Sequence, residues 1–180
     1  MSGLPSPADG GSDSEDGNPR SFPLLFQQLA AGPVRDAAVT QLASSSRDEA
    51  VVRAWCEAGD VCALVDVGAG DETPPPAAAV VVPRGGGTME LALLVTPGSQ
   101  GSDLARRMLA QLCDALRRRE VRRLTAAATN VEIPLMAALQ DAGFRFESVE
   151  RDGCTAEHGL SPVVVDGVPA RDLVWFDQSL

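Results

Sequence analysis

Residues 95–109, Val-Thr-Pro-Gly-Ser-Gln-Gly-Ser-Asp-Leu-Ala-Arg-Arg-Met-Leu, read as the end of an apolar strand, a glycine-containing turn and the start of an amphipathic helix. That order builds an anion site. The first N–H groups of a helix have no intrahelical partner, and the helix dipole puts about half a positive charge in front of them. A pyrophosphate would lie against the N–H groups of Gly101, Ser102, Asp103, Leu104 and Ala105, with Gly101 allowing close backbone approach. Asp103 complicates the turn, because its carboxylate either caps the helix start or repels the anion. Two charges about 4 Å apart at an effective dielectric of about 20 interact by roughly 4 kcal/mol, so Asp103 must point outward or be neutralised by Arg106 or Arg107. Seven arginines fall between positions 106 and 123. They are either a solvated helix face or contacts to further phosphates.

The elements that carry this turn follow from periodicity. Residues 22–42 and 48–58 place Leu24, Leu25, Leu29, Val51, Val52 and Trp55 at helical spacing, with Gly32-Pro33 breaking or kinking the first helix. Short β-branched runs at 61–67 and 78–82 form a hairpin-like pair around a Gly- and Pro-rich loop at 68–76. A strand at 89–95 feeds the turn, and Leu104, Met108, Leu109, Leu112 and Leu116 make one apolar stripe on the helix that follows. Then come a strand at 121–129, a helix at 132–142 closed by Gly143, and strands at 146–151 and 172–177. The expected order is α-α-β-β-β-α-β-α-β-β, with no strand assigned before the helices.

Composition narrows the class. With 180 residues, 44% of them apolar, the chain can bury one substantial core, and its length favours a single domain over residues 21–180. Residues 1–20 combine Gly, Ser, Asp and Pro without apolar periodicity and are expected to form a disordered acidic tail. A net charge of −10 argues against general binding to nucleic acid or to an anionic membrane, and no apolar run is long enough to span a bilayer. The four cysteines form no C-x-x-C pair and the N-terminus lacks an apolar signal stretch, so a cytoplasmic location is expected. All 15 basic residues are Arg, and Tyr is absent.

Over about residues 88–180 the chain resembles the GNAT superfamily of acetyl-CoA-dependent N-acetyltransferases, whose turn signature is V-x-P-x-x-Q/R-G-x-G-x-G/A. Val95, Pro97, Gln100, Gly101 and Ala105 match it, and Asp103 replaces its second glycine. A helix ending in Gly143-Phe144 and a closing stretch through Val149-Glu150-Arg151-Asp152 and 167–176 are similar to later segments of the family. The resemblance implies a mixed α/β fold, a GNAT-type central sheet flanked by helices, and acetyl-CoA as co-substrate. It also implies transfer of an acetyl or other acyl group to an amine of a small molecule or peptide. Gln100, Gly101, Ser102, Asp103, Leu104, Ala105 and Arg106 would then hold the cofactor, and the N–H groups near Leu93, Leu94 and Val95 would face the acetyl-pantetheine arm. Glu90 becomes the candidate base, acting on the incoming ammonium directly or through water. The family's Asn corresponds either to Asn130 or, by the commonest spacing, to Glu132. Its frequent acid, a Tyr four residues before Gly-Phe, is Leu139 here, so a thiol of pKa about 8.5 would have to leave without that acid.

Other readings are weaker. An inactive GNAT-like binding or regulatory protein is the alternative that Asp103 and the missing Tyr motivate. Residues 63–71 look like the glycine-rich motif of an S-adenosylmethionine-dependent methyltransferase, but Pro74, Pro75 and Pro76 block the helix that motif needs. His158 alone cannot make a metal site, Cys113 reads as a small core residue, and homo-oligomer formation is left open.

Overall fold

Six consecutive apolar residues, Ala77 to Val82, are all buried, as expected of a strand covered on both faces. They belong to β3 (Ala77–Gly85). Ala77, Ala79 and Val81 face one core layer, while Ala78, Val80 and Val82 face another. The sheet therefore has helices on both sides. The computed structural model describes residues 23–71, 73–96, 101–161 and 163–180, and describes Gly101 and Ser102 by backbone alone. The expected tail at 1–20, Pro97 and the proposed ligand Gln100 lie outside the described residues.

In chain order the elements are β1 (Leu24–Gln28), α1 (Pro33–Ala43), α2 (Glu49–Ala58), β2 (Asp60–Asp66), β3, β4 (Thr88–Val95), α3 (Gly101–Arg118), β5 (Arg123–Thr129), α4 (Ile133–Asp141), β6 (Arg145–Glu150), β7 (Val163–Val165), β8 (Val168–Ala170) and β9 (Leu173–Ser179). The main sheet runs β1-β2-β3-β4-β5-β9-β6. Only β4 and β5 pair in parallel; the other neighbours are antiparallel. Helices α3 and α4 cover one face through Met108, Leu109, Leu112 and Leu139, and α1 and α2 cover the other through Ala38, Leu42, Val52 and Cys56. Among the described residues no helix is long and apolar enough to cross a membrane.

Two expectations need correction. Residues 24–28 are not helical: Leu24 and Phe26 pack on the core with a period of two, and the segment pairs antiparallel with β2. Pro33 starts α1 from its first turn instead of kinking a longer helix, which is where a missing N–H costs nothing. The second correction concerns β7 and β8, which form a separate two-stranded hairpin. Asp166 and Gly167 both have positive φ, 50° and 80°, as a two-residue primed turn requires. That Asp-Gly between valines was a readable hairpin signal. The glycine-rich segment after β2 leads through a turn into antiparallel β3, with no helix to receive a nucleotide.

Candidate active site

The site begins with one extra residue in β4. Val80 pairs with Leu93 and Val81 with Leu91, so Ala92 is a bulge. Before it, Met89 and Leu91 pack on the α3–α4 side; after it, Leu94 takes that side, while Leu93 and Val95 turn to the α1–α2 layer. The parallel ladder with β5 ends at Leu91↔Ala126, although β4 continues to Val95 and β5 to Thr129. Past that point the two strands diverge. Between them lies a narrow cleft of about 20 Å³, reached by Leu135 and Leu139 of α4 at one side and by Arg47 of the α1–α2 junction at the other. Because those helices cover opposite faces, the cleft is lined from both sides of the sheet.

Helix α3 starts at Gly101, six positions after Val95 ends β4, so the chain leaves the carboxyl end of the parting strand directly into its N-terminus. Open α/β sheets bind ligands at such ends. Asp103 does not fill the turn. Its side chain is 82% exposed, and Arg106 Nη1 donates to it at 2.9 Å while Arg106 Nε donates to Asp141 at 2.7 Å. Leu104 is half-buried and Ala105 buried, both against the α3–α4 core. The other arginines of this stretch are largely spent within the protein. Arg117 pairs with Asp114, Arg119 with Asp60 and Arg123 with Glu147 and Asp177, while Arg107 and Arg122 donate to the carbonyls of Leu24 and Gly86.

Glu90 lies on β4 before the bulge, opposite Thr125 of β5. Both its oxygens accept from Arg84, at 2.8 and 2.9 Å, and its side chain is 13% exposed. The pair raises the Arg84 pKa, chiefly through the hydrogen bond. Glu90 can take a proton only from a group or water that shares it with Arg84. Asn130 serves the backbone instead: its Oδ1 accepts from Arg171 and Asp172 N–H, and its Nδ2 donates to Pro169. That carboxamide pins β8 to β9 and keeps only one N–H for a ligand. Glu132, the other reading of the family position, lines the cleft, and its Oε2 accepts the Thr129 N–H at 2.6 Å. Thr129 Oγ1 is buried at the end of β5 with no hydrogen-bond partner among the described residues, a polar atom left for a ligand or water. Leu139, where the family's acid would be, is fully buried.

Arg47 carries no signal in the sequence, since it sits in a Ser-rich junction between helices. Tertiary contacts bring it to the cleft: its Nη1 donates to the His158 carbonyl at 2.9 Å, and Asp48 N–H binds the Gly159 carbonyl at 2.8 Å. Burial pushes the Arg47 pKa down, and Glu132 and Glu90 partly oppose the shift. Nearby, Trp175 Nε1 donates to Glu150 at 2.9 Å, and the His158 ring stands edge-on to Trp175 with centroids 6.0 Å apart. Among the described residues no group of three His, Cys, Asp or Glu could hold a metal.

No family sequence model matches the chain, and no curated protein matches it. Solved structures do. An IAA acetyltransferase from Bacillus cereus superposes with a TM-score of 0.73 at 16% identity, over 87% of this chain and 99% of that one. A Bacillus subtilis acetyltransferase in complex with CoA gives 0.73 at 18% identity, over 87% and 99%. A GNAT family acetyltransferase from Elizabethkingia anophelis with acetyl-CoA bound gives 0.74 at 13% identity, over 87% and 98%. The bulged β4, its divergence from β5 and these superpositions together establish that the chain has the fold of the GNAT acetyltransferases.

Proposed function

We propose that residues 21–180 form an N-acetyltransferase domain that uses acetyl-CoA to acylate an amine of a small molecule or peptide. The observation that carries the reading is the end of the β4–β5 ladder at Leu91, with a narrow cleft between the strands lined from both faces and a helix starting shortly after β4. The residues fit the cofactor: the Asp103 carboxylate is turned to solvent and bound by Arg106, so its charge is offset where a phosphate would meet the first-turn N–H groups of α3. Two solved neighbours of this fold hold CoA or acetyl-CoA.

When bound, acetyl-CoA supplies an activated thioester carbonyl. The chain's own part is to orient and polarise. Beyond Leu91 the β4 edge facing β5 has no strand partner, so its N–H groups near Leu93, Leu94 and Val95 can donate to a carbonyl oxygen as negative charge builds there. The amine must arrive neutral, and Glu90 is the base for its proton, through the water that shares it with Arg84. With Leu139 buried and no Tyr in the chain, the thiolate leaves without a tyrosine acid, which a pKa of about 8.5 permits. Four free, buried cysteines suit a reducing cytoplasm, and the acidic surface suits a small or peptidic acceptor over nucleic acid or membrane.

Calorimetry with acetyl-CoA, paired with amine-dependent release of free thiol, tests the reading. Binding should raise the melting temperature, by about 2.7 kcal/mol of stabilisation at one hundred times Kd. If the native chain gives no heat and Asp103→Gly binds, the protein is instead a GNAT-like regulatory relative that has lost its cofactor.

A further inference from the structure

Arg47 is the one cleft-lining arginine, and no carboxylate pairs with it among the described residues. Its single hydrogen bond goes to a backbone carbonyl, that of His158, which is neutral. A half-buried guanidinium is costly unless an anion compensates it. The fold nevertheless holds it there. The turn at residues 156–160 is locked to the α1–α2 junction by the Asp48–Gly159 hydrogen bond, and a Cβ on Gly159 would come within 3.1 Å of Val51.

Arg47, between α1 and α2, lines the cleft together with Leu135 and Leu139 of α4, whose helix covers the other face of the sheet. If the pantetheine arm enters from the α3 and α4 side, as the acetyltransferase reading requires, Arg47 meets the acceptor. A bare ammonium would be repelled by it. Glu132 stands in the same cleft with one oxygen bound to Thr129 N–H and the other without a partner among the described residues. One cation and one anion side by side are complementary to a zwitterion, and the planar guanidinium matches a carboxylate with two parallel hydrogen bonds.

Resting on that acetyltransferase reading, we propose that Arg47 binds a carboxylate of the acceptor, with Glu132 receiving its ammonium, so that the acceptor is an amino acid or an amine with a carboxylate beside it. The test uses the full chain with acetyl-CoA and matched acceptors: free amino acids, the corresponding α-amides, and the amines lacking the carboxyl group. Both kcat/KM and calorimetric binding to the CoA complex are read. The native protein should prefer acid over amide by about 10- to 100-fold, chiefly in KM, as a charge-assisted hydrogen bond gives. In Arg47→Gln the acid-to-amide ratio should fall to about one, and Arg47→Lys should retain part of it, while acetyl-CoA affinity stays within about twofold in both. Equal treatment of acids and amides by the native protein overturns the inference alone. So does an Arg47→Gln variant that keeps the preference. Failure of the native protein to bind acetyl-CoA instead removes the acetyltransferase reading, and this inference with it.

Discussion

Arg106 lies one turn after Asp103 on α3 and holds it at 2.9 Å, while its Nε reaches across to Asp141 near the end of α4. One guanidinium thus neutralises the acid in the first turn of α3 and ties α3 to α4. Asp103→Asn should therefore change acetyl-CoA affinity by less than about fivefold, because an exposed, paired charge contributes at most about 1 kcal/mol. Arg106→Ala should weaken binding several-fold, more at low salt than at high, and the double variant should recover most of the loss. Titration calorimetry at two ionic strengths measures all three. Full binding by Arg106→Ala at low salt would show that Asp103 is harmless without its partner.

Glu90 and Arg84 set a second expectation. Glu90→Gln should lower kcat by about 100-fold or more if Glu90 removes the amine proton, whereas Arg84→Ala frees both carboxylate oxygens and should leave kcat equal or higher. Steady-state rates against pH decide it. Full activity in Glu90→Gln would reassign the base.

Packing supplies a stability test at Gly59, which closes α2 against β3. A Cβ there would run into the Val81 carbonyl oxygen and lie 2.9 Å from Val82 Cγ1, neither of which can retreat within a buried strand. Gly59→Ala should cost about 1–3 kcal/mol, read as a lower urea midpoint at unchanged slope.

The buried thiols make stability depend on alkaline pH. Burial pushes Cys62 from its ordinary 9.0 up to about 12 and Cys113 up to about 11. Both are raised in the folded state, so the native protein holds more protons, and stability is full below pH 9 and declines as pH rises toward the folded values. At pH 10 each should lower unfolding free energy by about 1 kcal/mol relative to neutral pH. Denaturant melts at pH 7 and pH 10 check this, with Cys62→Ala and Cys113→Ala flattening the difference. In the native protein both thiols should react far more slowly with a disulfide reagent than after unfolding.

Local pattern made much of this legible. The stripe Leu104, Met108, Leu109, Leu112 and Leu116 forecasts a helix that packs on the core, and the run at 78–82 forecasts a strand paired with the one before it. Leu24–Gln28 misleads because five residues hold too few apolar positions to separate a period of two from one of 3.6, and pairing with β2 decides the outcome. Arg47, Glu150, His158 and Trp175 are separated by up to 128 positions, from 47 to 175, and no spacing rule joins them. The ion pairs of Asp103 and Glu90 depend on side-chain direction, which the sequence leaves open.

The added residue at Ala92 makes β4 two strands of opposite parity spliced end to end. Deleting it would restore plain alternation, leaving Leu93, Leu94 and Val95 on their present faces, and would draw β4 one residue along β3, which should let its ladder with β5 run on past Leu91. Such a deletion should yield a more evenly paired sheet and, on the acetyltransferase reading, a protein that no longer admits a thioester between the two strands.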